Sequence, residues 1–206
     1  MIAIIDYGVG NLFSLCSSLK AIGAEAIVTS DATKIREADR IILPGVGAFG
    51  DAIKKLNDTG LDKIIIEEAN KGKKLMGICL GMQLLFEKSF EYGEHKGLSL
   101  LKGQVVSMEG RLPRALKIPH IGWNALHFTK NHPLFKYIKE NDCVYFVHSY
   151  YAQNCEESLL ATAEYGCELT AAVVKDNVAG MQFHPEKSGD VGLNILKAFC
   201  EWEDEK

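Results

Sequence analysis

Short apolar runs rich in β-branched residues alternate with helix-like stretches through the first half of the chain. The strand-like runs cover residues 2–6, 24–30, 38–45 and 74–78. Because strands that alternate with helices pair in parallel and are covered on both faces, this pattern predicts an α/β fold with a mostly parallel central sheet. Such sheets bind their ligands at the carboxyl ends of strands, where this chain carries several glycines and Cys79.

The second half of the chain has a different rhythm. Strand-like runs joined by short turns cover residues 103–109, 121–128, 143–152, 159–165, 169–176 and 178–186. We expect a small antiparallel extension followed by a return to the main sheet, in a flavodoxin-like arrangement. A helix is predicted over residues 80–91, and Ser188 is predicted to cap a final helix over residues 189–202. No linker or repeat divides the chain, so residues 1–206 are predicted to form one domain.

Composition argues against several classes of function. The chain has a net charge of −4 and no run of five Lys or Arg, so a nucleic-acid-binding surface is not expected. No stretch approaches the roughly 18 consecutive apolar residues of a membrane span. The six cysteines are scattered without a Cys-x-x-Cys pair. This spacing argues against a metal site and favours reduced thiols in a cytoplasmic protein.

Cys79 lies between two glycines, in the pattern Gly77-x-Cys79-x-Gly81, with an apolar run before it and helical spacing after it. One interpretation is a buried core thiol, because free cysteine is among the most buried residue types. The other is a nucleophile at the tip of a sharp strand-to-helix turn, where a side chain in place of either glycine would clash. The helix N-terminus would stabilise the thiolate, and the N–H of Leu80 would donate to an oxyanion.

Among the six histidines, His184 is the best candidate for a base, because Pro185 and Glu186 follow it at the end of a strand-like run. Alternation along a strand would send His184 and Glu186 to the same side, and Pro185 cannot continue the strand ladder. The sequence His-Pro-Glu alone is equally typical of a turn that ends a strand. Combined with the cysteine motif, it favours a nucleophile, a base and an orienting carboxylate in the chain order Cys79, His184, Glu186.

A glycine-rich loop at residues 43–51 follows the third strand-like run. It could be a flexible connection or a phosphate-binding loop, although it lacks the lysine of a P-loop. A third interpretation fits the cysteine motif better. In it, a backbone N–H of Val46 or Gly47 joins that of Leu80 to form an oxyanion hole.

Together these motifs resemble the class I glutamine amidotransferases. The resemblance covers nearly the whole chain and rests on residues 6–11, 43–52, 77–86, 119–124, 145–151 and 182–188. It implies that Cys79 attacks the side-chain amide of glutamine while His184 and Glu186 act as base and orienting group. Substrate glutamine would be held by Gly47, Gln83, Glu91, Ser149 and Tyr150. The resemblance implies no metal and no organic cofactor.

The motifs match one branch of this family, whose members pass ammonia to a separate cyclase subunit, a (β/α)8 barrel, in histidine biosynthesis. A heterodimer with that subunit is therefore expected, and the resemblance assigns to its docking face Asn11, His120, Trp123, Tyr145 and Lys187. Aromatic side chains favour interfaces, which agrees with the choice of Trp123, although a Trp that fills the antiparallel extension is an alternative.

Three other functions stay open at this point. A stand-alone cysteine hydrolase of the same fold would be fully active without a partner. Another amidotransferase subunit is disfavoured by the motifs at residues 43–52 and 119–124. A binding module with a relic triad is disfavoured because all three triad residues are present.

Overall fold

The structure is a computed structural model that describes residues 1–203. In chain order its strands are β1 Ile2–Ile5, β2 Ala26–Thr29, β3 Arg40–Leu43, β4 Lys74–Ile78, β5 Phe86–Ser89, β6 His95–Lys96, β7 Leu101–Ser107, β8 His120–Ala125, β9 His127–Phe128, β10 Cys143–His148, β11 Tyr150–Gln153, β12 Leu159–Glu164, β13 Glu168–Lys175 and β14 Val178–Met181. Its α-helices are α1 Leu12–Ala21, α2 Ala32–Glu37, α3 Phe49–Thr59, α4 Leu61–Asn70, α5 Leu80–Leu84 and α6 Gly189–Cys200. The last three residues of the predicted 1–206 domain lie outside the described range.

The central sheet has eight strands in the order β2-β1-β3-β4-β14-β13-β12-β9. The first five strands are mutually parallel, and β13, β12 and β9 continue the sheet in antiparallel pairing. The predicted fold class is confirmed. Strand β14 pairs in register with β4, with Met181 opposite Ile78. The carboxyl ends of these two strands therefore lie side by side, although they are far apart in the sequence.

Both faces of the central sheet are buried against helices. Along β1, Ile2 and Ile4 belong to one core cluster, whereas Ala3 and Ile5 belong to the other. The first cluster includes the apolar faces of α1 and α6, and the second includes those of α2, α3, α4 and α5. Successive side chains of a strand point to opposite faces, so the continuous apolar runs are those of a sheet covered on both sides.

The extension beyond the central sheet consists of two parts. A four-stranded sheet has the order β11-β7-β5-β6, and a separate ribbon pairs β10 with β8 in antiparallel register. The ribbon ends where β10 passes through Ser149 into β11, so it connects directly to the second sheet. Ribbon and sheet together flank the carboxyl ends of β4 and β14.

The predicted helix over residues 80–91 is wrong beyond Leu84. Helix α5 ends there, and the chain turns into β5. The carbonyl groups that would continue the helix accept other partners: Leu84 accepts from the N–H of Leu98 at 2.8 Å, and Leu85 from that of Leu100 at 2.9 Å. The final helix is also shorter than predicted, since α6 ends at Cys200.

Within residues 1–203, no helix has both the length and the apolar character that crossing a membrane requires.

Candidate active site

Cys79 lies in the turn between β4 and α5 with a backbone conformation that L-residues rarely adopt, φ 54° and ψ −113°. A Cβ on Gly81 would approach the carbonyl oxygen of Leu43 to 1.8 Å, and one on Gly77 would approach that of Gly81 to 2.6 Å. Both glycines are therefore required by close backbone contacts, as the motif predicted. The turn is held by the N–H of Cys79, which donates to Met181 on β14 at 2.7 Å. This is the strained geometry of a nucleophile elbow.

His184 comes three residues after the end of β14 and lies beside Cys79, because β14 pairs in parallel with β4. Its Nδ1 lies 2.7 Å from Oε1 of Glu186, and the two side chains are only 3% and 4% exposed. The contact is the expected one, but its local cause differs from the prediction. Residues Pro185–Lys187 form a 3-10 turn rather than a strand, and this turn brings Glu186 back to the imidazole.

The charge balance around His184 favours its protonated form. Burial opposes protonation, but the hydrogen bond to the Cys79 side chain and the hydrogen bond to Glu186 outweigh it and raise the pKa of His184 to about 9. A histidine that contacts both a cysteine and a carboxylate has the arrangement that activates a cysteine nucleophile. Cys79, His184 and Glu186 therefore lie in the arrangement expected of the predicted triad.

Ser188 occupies the N-cap position of α6, but its hydroxyl does not cap the helix, so the predicted cap is wrong. The hydroxyl donates to the carbonyl of His184 at 2.6 Å and accepts from the N–H of Tyr145 at 2.9 Å. The N–H of His184 in turn donates to the carbonyl of Tyr145 at 3.0 Å. These bonds fix the backbone of the base against β10.

The loop after β3 lies against the nucleophile turn. A Cβ on Gly45 would meet the backbone nitrogen of Gly81 and the hydroxyl of Tyr7, each at 2.8 Å. That hydroxyl donates to the carbonyl of Pro44 at 2.8 Å. Burial, and then the nearby Cys79, raises the pKa of Tyr7, so it remains a donor. Val46 and Gly47, the predicted oxyanion residues, come next in this loop, and Gly47 has a positive φ of 93°.

A cavity of about 710 Å³ opens above Cys79 and His184. Its wall includes every residue predicted to bind the substrate or the oxyanion, namely Val46, Gly47, Leu80, Gln83, Glu91, Ser149 and Tyr150. Glu186 lies behind His184 and does not line the cavity. The sequence analysis missed a further set of lining residues, Tyr92, Ser107, Glu109, Ile118, Pro119, Val147 and His148. Most of these residues come from the extension. No local sequence pattern predicts that the extension packs over the edge of the central sheet.

Gln83 and Glu91 are held in place by partners on other elements. The amide of Gln83 donates to the carbonyl of Tyr150 and to Oε1 of Gln182, both at 3.0 Å. Oε2 of Glu91 accepts from the N–H of Phe49, the first residue of α3, at 2.6 Å. Burial raises the pKa of Glu91 above its ordinary value, opposed by the bond from Phe49. Glu91 thus tethers the end of the loop at residues 43–51 to the cavity wall.

Trp123, on the outer face of β8, is 58% exposed, and its neighbour in that face, Ile121, is 57% exposed. The ring of Trp123 lies 6.1 Å from that of Tyr145 on the paired strand. Lys187 is exposed and Asn11 is half-buried. These side chains therefore leave room for the predicted role at a docking face.

The expectation for His120 is corrected, because its side chain is 2% exposed and cannot contact a partner. Alternation along β8 turns His120 inward and Trp123 outward. The ring of His120 lies between those of Phe146 and Tyr165, with centroid distances of 4.9 Å and 4.1 Å. The alternation was available in the sequence and would have separated the two residues.

The described residues contain no group of three or more His, Cys, Asp or Glu side chains that could hold a metal ion. The thiols of Cys155 and Cys200 are raised in pKa by burial, as is that of Cys167. They lie outside the cavity lining. Among the cysteines, only Cys79 therefore combines a place in this cavity with a base.

Known proteins share both the fold and the family of this chain. A solved glutamine amidotransferase superimposes with a TM-score of 0.74 at 19% identity, covering 97% of this chain and 100% of the other. A chain of PurLQS from Thermotoga maritima gives a TM-score of 0.73 at 20% identity, covering 97% of each chain. At such identities the likeness shows the fold alone. The family model described as glutamine amidotransferase class-I matches residues 3–201, and the chain therefore belongs to that family.

Full-length relatives narrow this assignment to one branch. The protein named imidazole glycerol phosphate synthase subunit HisH from Caldanaerobacter subterraneus is 54% identical over 202 residues, covering 98% of each chain. The protein of the same name from Bacillus subtilis is 48% identical over 209 residues, covering 100% of this chain and 98% of its own. The chain is thus one of the HisH relatives, and the resemblance drawn from its motifs is confirmed.

Proposed function

We propose that this chain is a glutaminase that hydrolyses glutamine to glutamate and ammonia and delivers the ammonia to the cyclase subunit of imidazole glycerol phosphate synthase. The cyclase would use it to make imidazole glycerol phosphate and an aminoimidazole carboxamide ribonucleotide in histidine biosynthesis. The observation that carries the glutaminase step is the strained Cys79 at the floor of the cavity, next to the buried His184–Glu186 pair. The names of the relatives support the pathway.

In the first half of the reaction, the Cys79 thiolate attacks the side-chain carboxamide carbon of glutamine. The carbonyl oxygen becomes an oxyanion, for which the N–H of Leu80 and that of Val46 or Gly47 are our candidate donors. His184 gives its proton to the departing nitrogen, so that the C–N bond breaks and ammonia leaves. A glutamyl thioester on Cys79 remains.

In the second half, His184 takes a proton from water, and the resulting hydroxide attacks the thioester carbon. The C–S bond breaks, which returns the thiolate and releases glutamate, while His184 is again protonated. Glu186 holds Nδ1 of His184 throughout, so that Nε2 faces the reacting atoms. Each proton that leaves the imidazole in the first half is thus recovered in the second.

Recognition of the substrate is assigned to the cavity wall. A carboxylate suits the α-ammonium of glutamine, and Glu91 supplies one at the cavity edge. Gln83, Ser149, Tyr150 and Gly47 offer amide, hydroxyl and backbone groups for its remaining polar atoms. A pocket with a few convergent polar groups is the ordinary form of a small-molecule site.

We propose that the cyclase docks on the face formed by Trp123, Ile121, Tyr145, Lys187 and Asn11. Exposed aromatic side chains are enriched at the centre of interfaces, and a lysine suits the polar rim around such a centre. Ammonia is lost to solvent unless a neighbouring active site receives it, so a docked cyclase would make the released ammonia usable. We also propose that the chain forms one glutaminase domain and acts in the cytoplasm, where that pathway would supply its partner.

The test is glutamate release from glutamine, measured with and without the cyclase subunit and its nucleotide ligand. Wild type should be strongly stimulated by the cyclase, and Cys79→Ala should be inactive under both conditions. Cys155→Ala is the matched control, because that thiol is buried but lies outside the cavity. Full activity without the partner would make the chain a stand-alone hydrolase. Stimulation by a different synthase subunit would reassign the pathway.

A further inference from the structure

Three polar side chains form a connected row beneath the β8–β10 ribbon. Nδ2 of Asn124 lies 3.4 Å from Nε2 of His120, and Nδ1 of His120 lies 3.1 Å from Nε2 of His148. Nδ1 of His148 lies 2.8 Å from the carbonyl oxygen of Tyr150. The two histidines are 2% and 6% exposed. Neither belongs to the triad, and the proposed reaction leaves both without a role.

The two ends of the row determine the direction of every hydrogen bond in it. The carbonyl of Tyr150 can only accept, so Nδ1 of His148 must carry a proton. At the other end Asn124 donates to the carbonyl of Glu164 at 2.8 Å and accepts from the N–H of Ala125 at 2.9 Å, which fixes the orientation of its amide. Asn124 therefore presents N–H, and not oxygen, to His120.

The hydrogen bond between the two rings also has only one possible direction, because both imidazoles are in the neutral form. Burial lowers the pKa of His148 to about 3 and that of His120 to about 4. Neutral His148 with a proton on Nδ1 has a bare Nε2, which must accept from Nδ1 of His120. His120 then has a bare Nε2 that accepts from Asn124. Each ring is thus held as its Nδ1–H tautomer, and all bonds run from Asn124 toward Tyr150.

We propose that His120 and His148 are positioning residues, which form a directed hydrogen-bond chain from Asn124 that holds the glutamine-binding segment 148–150 in its productive conformation. The proposal rests on the proposed function for the identity of the substrate. The held atom, the carbonyl oxygen of Tyr150, also accepts from Gln83 at 3.0 Å. Gln83 and segment 148–150 therefore meet at the carbonyl oxygen of Tyr150, and the hydrogen-bond chain fixes the position of this oxygen.

The packing of the rings supports a positioning role. His120 is stacked between Phe146 and Tyr165, so its ring plane is fixed and its two nitrogens can point only along the row. His148 forms part of the cavity wall, although it is only 6% exposed. A ring nitrogen that lost its partner could not bond to water at this buried position, and such unpaired polar groups lower the stability of the fold. The row is stable only when every member keeps its partner.

The tautomers are tested by long-range proton–nitrogen NMR spectra of the full chain with nitrogen-15-labelled histidine, recorded between about pH 5.5 and pH 8. We expect two rings in the Nδ1–H form whose shifts do not change with pH. The signals of the His120 ring should be lost in His120→Leu and kept in the control His127→Gln. The signals of the other ring that does not respond to pH should be lost in His148→Leu. A proton on Nε2 of either ring, or titration of either ring within this range, would overturn the proposal.

The positioning role is tested by a pair of variants that differ by one donor. His120→Asn places an N–H close to the position of Nδ1, whereas His120→Leu has a similar size and no donor. Both variants lose the ring stacking, so the comparison isolates the hydrogen bond to His148. With the cyclase and its ligand saturating, we expect KM for glutamine to be about tenfold higher in the Leu variant than in the Asn variant, with kcat within about twofold.

Equal KM values in the two variants would show that the row only fills the core, and would refute the positioning role. A loss confined to kcat would point to the triad instead. If wild type releases no glutamate at all, the proposed function fails, whereas the NMR result still decides whether the directed chain exists. Unfolding midpoints of both variants, measured in parallel, identify a variant that does not fold. In that case Asn124→Leu, compared with Asn124→Gln, repeats the test from the end of the row.

Discussion

The backbone strain at Cys79 predicts an inversion of the usual effect of glycine on stability. Two inactive variants, Cys79→Ala and Cys79→Gly, both remove the thiol and its contacts with the triad. At most positions glycine is less stable than alanine, by about 0.5–1 kcal/mol, because the unfolded chain gains freedom. At Cys79 the φ of 54° with ψ of −113° is strained for any residue that has a Cβ. Such strain costs of order 1–3 kcal/mol.

The difference between these two effects gives the expected magnitude. We expect Cys79→Gly to be more stable than Cys79→Ala by about 1 kcal/mol, which for a chain of this length is about 2–4 °C in Tm. Urea unfolding followed by circular dichroism measures the difference directly, and neither variant turns over substrate. The strain is present only in the folded state, so removal of the Cβ stabilises the folded state relative to the unfolded state.

The matched control is Ala52→Gly, at a buried position inside α3. There glycine should lower the free energy of unfolding by about 1 kcal/mol or more, as in any helix interior. If Cys79→Gly is destabilised relative to Cys79→Ala by as much as the control, the turn stores no strain and our reading of it is refuted.

Four shorter predictions concern the proposed triad, the loop at residues 43–51 and the proposed docking face. Glu186→Gln should lower kcat about a thousandfold or more with little change in KM, since His184 loses its orienting carboxylate; a KM effect alone would contradict this. Because the pKa of His184 is raised to about 9, its protonation stabilises the fold fully below about pH 6.5, and this stabilisation is lost as pH rises through about 9. The free energies of unfolding of wild type and Glu186→Gln, measured in urea, should therefore become equal at high pH. A difference that does not change with pH would refute the charge balance. Tyr7→Phe leaves the carbonyl of Pro44 unpaired and should cost about 1–3 kcal/mol of stability and reduce kcat, whereas unchanged unfolding would deny the bond a role. Trp123→Ala should weaken binding of the cyclase by about thirtyfold, or about 2 kcal/mol, with stability unchanged within about 0.5 kcal/mol; unaltered affinity in a titration would exclude this docking face.

Local stereochemistry made the nucleophile turn predictable from sequence. The spacing Gly77-x-Cys79-x-Gly81 is required by contacts within a few residues, together with the approach of Leu43. The alternation of strands and helices likewise predicted the parallel part of the sheet. The glycine spacing and the alternation of strands and helices are each required by the local packing, so each can be recognised in the sequence.

The errors arise where distant parts of the chain decide the local structure. Helix α5 stops after Leu84 because residues 98–101 take its free carbonyl groups, which the sequence of the helix does not reveal. The contact between His184 and Glu186 was expected, but from strand alternation rather than from the 3-10 turn that makes it. His120 was grouped with Trp123 by motif, although their odd and even positions in β8 place them on opposite faces.

The insertion of β14 between β4 and β13 has a consequence for the newly made protein. During synthesis, Cys79 and its turn emerge long before His184, which belongs to one of the last segments of the chain. Until β14 enters the sheet, Cys79 has no His184 beside it, and the N–H of Cys79 lacks its acceptor, the carbonyl of Met181. In a chain that lacks β14, Cys79 and His184 are therefore not brought together, and the proposed site forms only when the central sheet is complete.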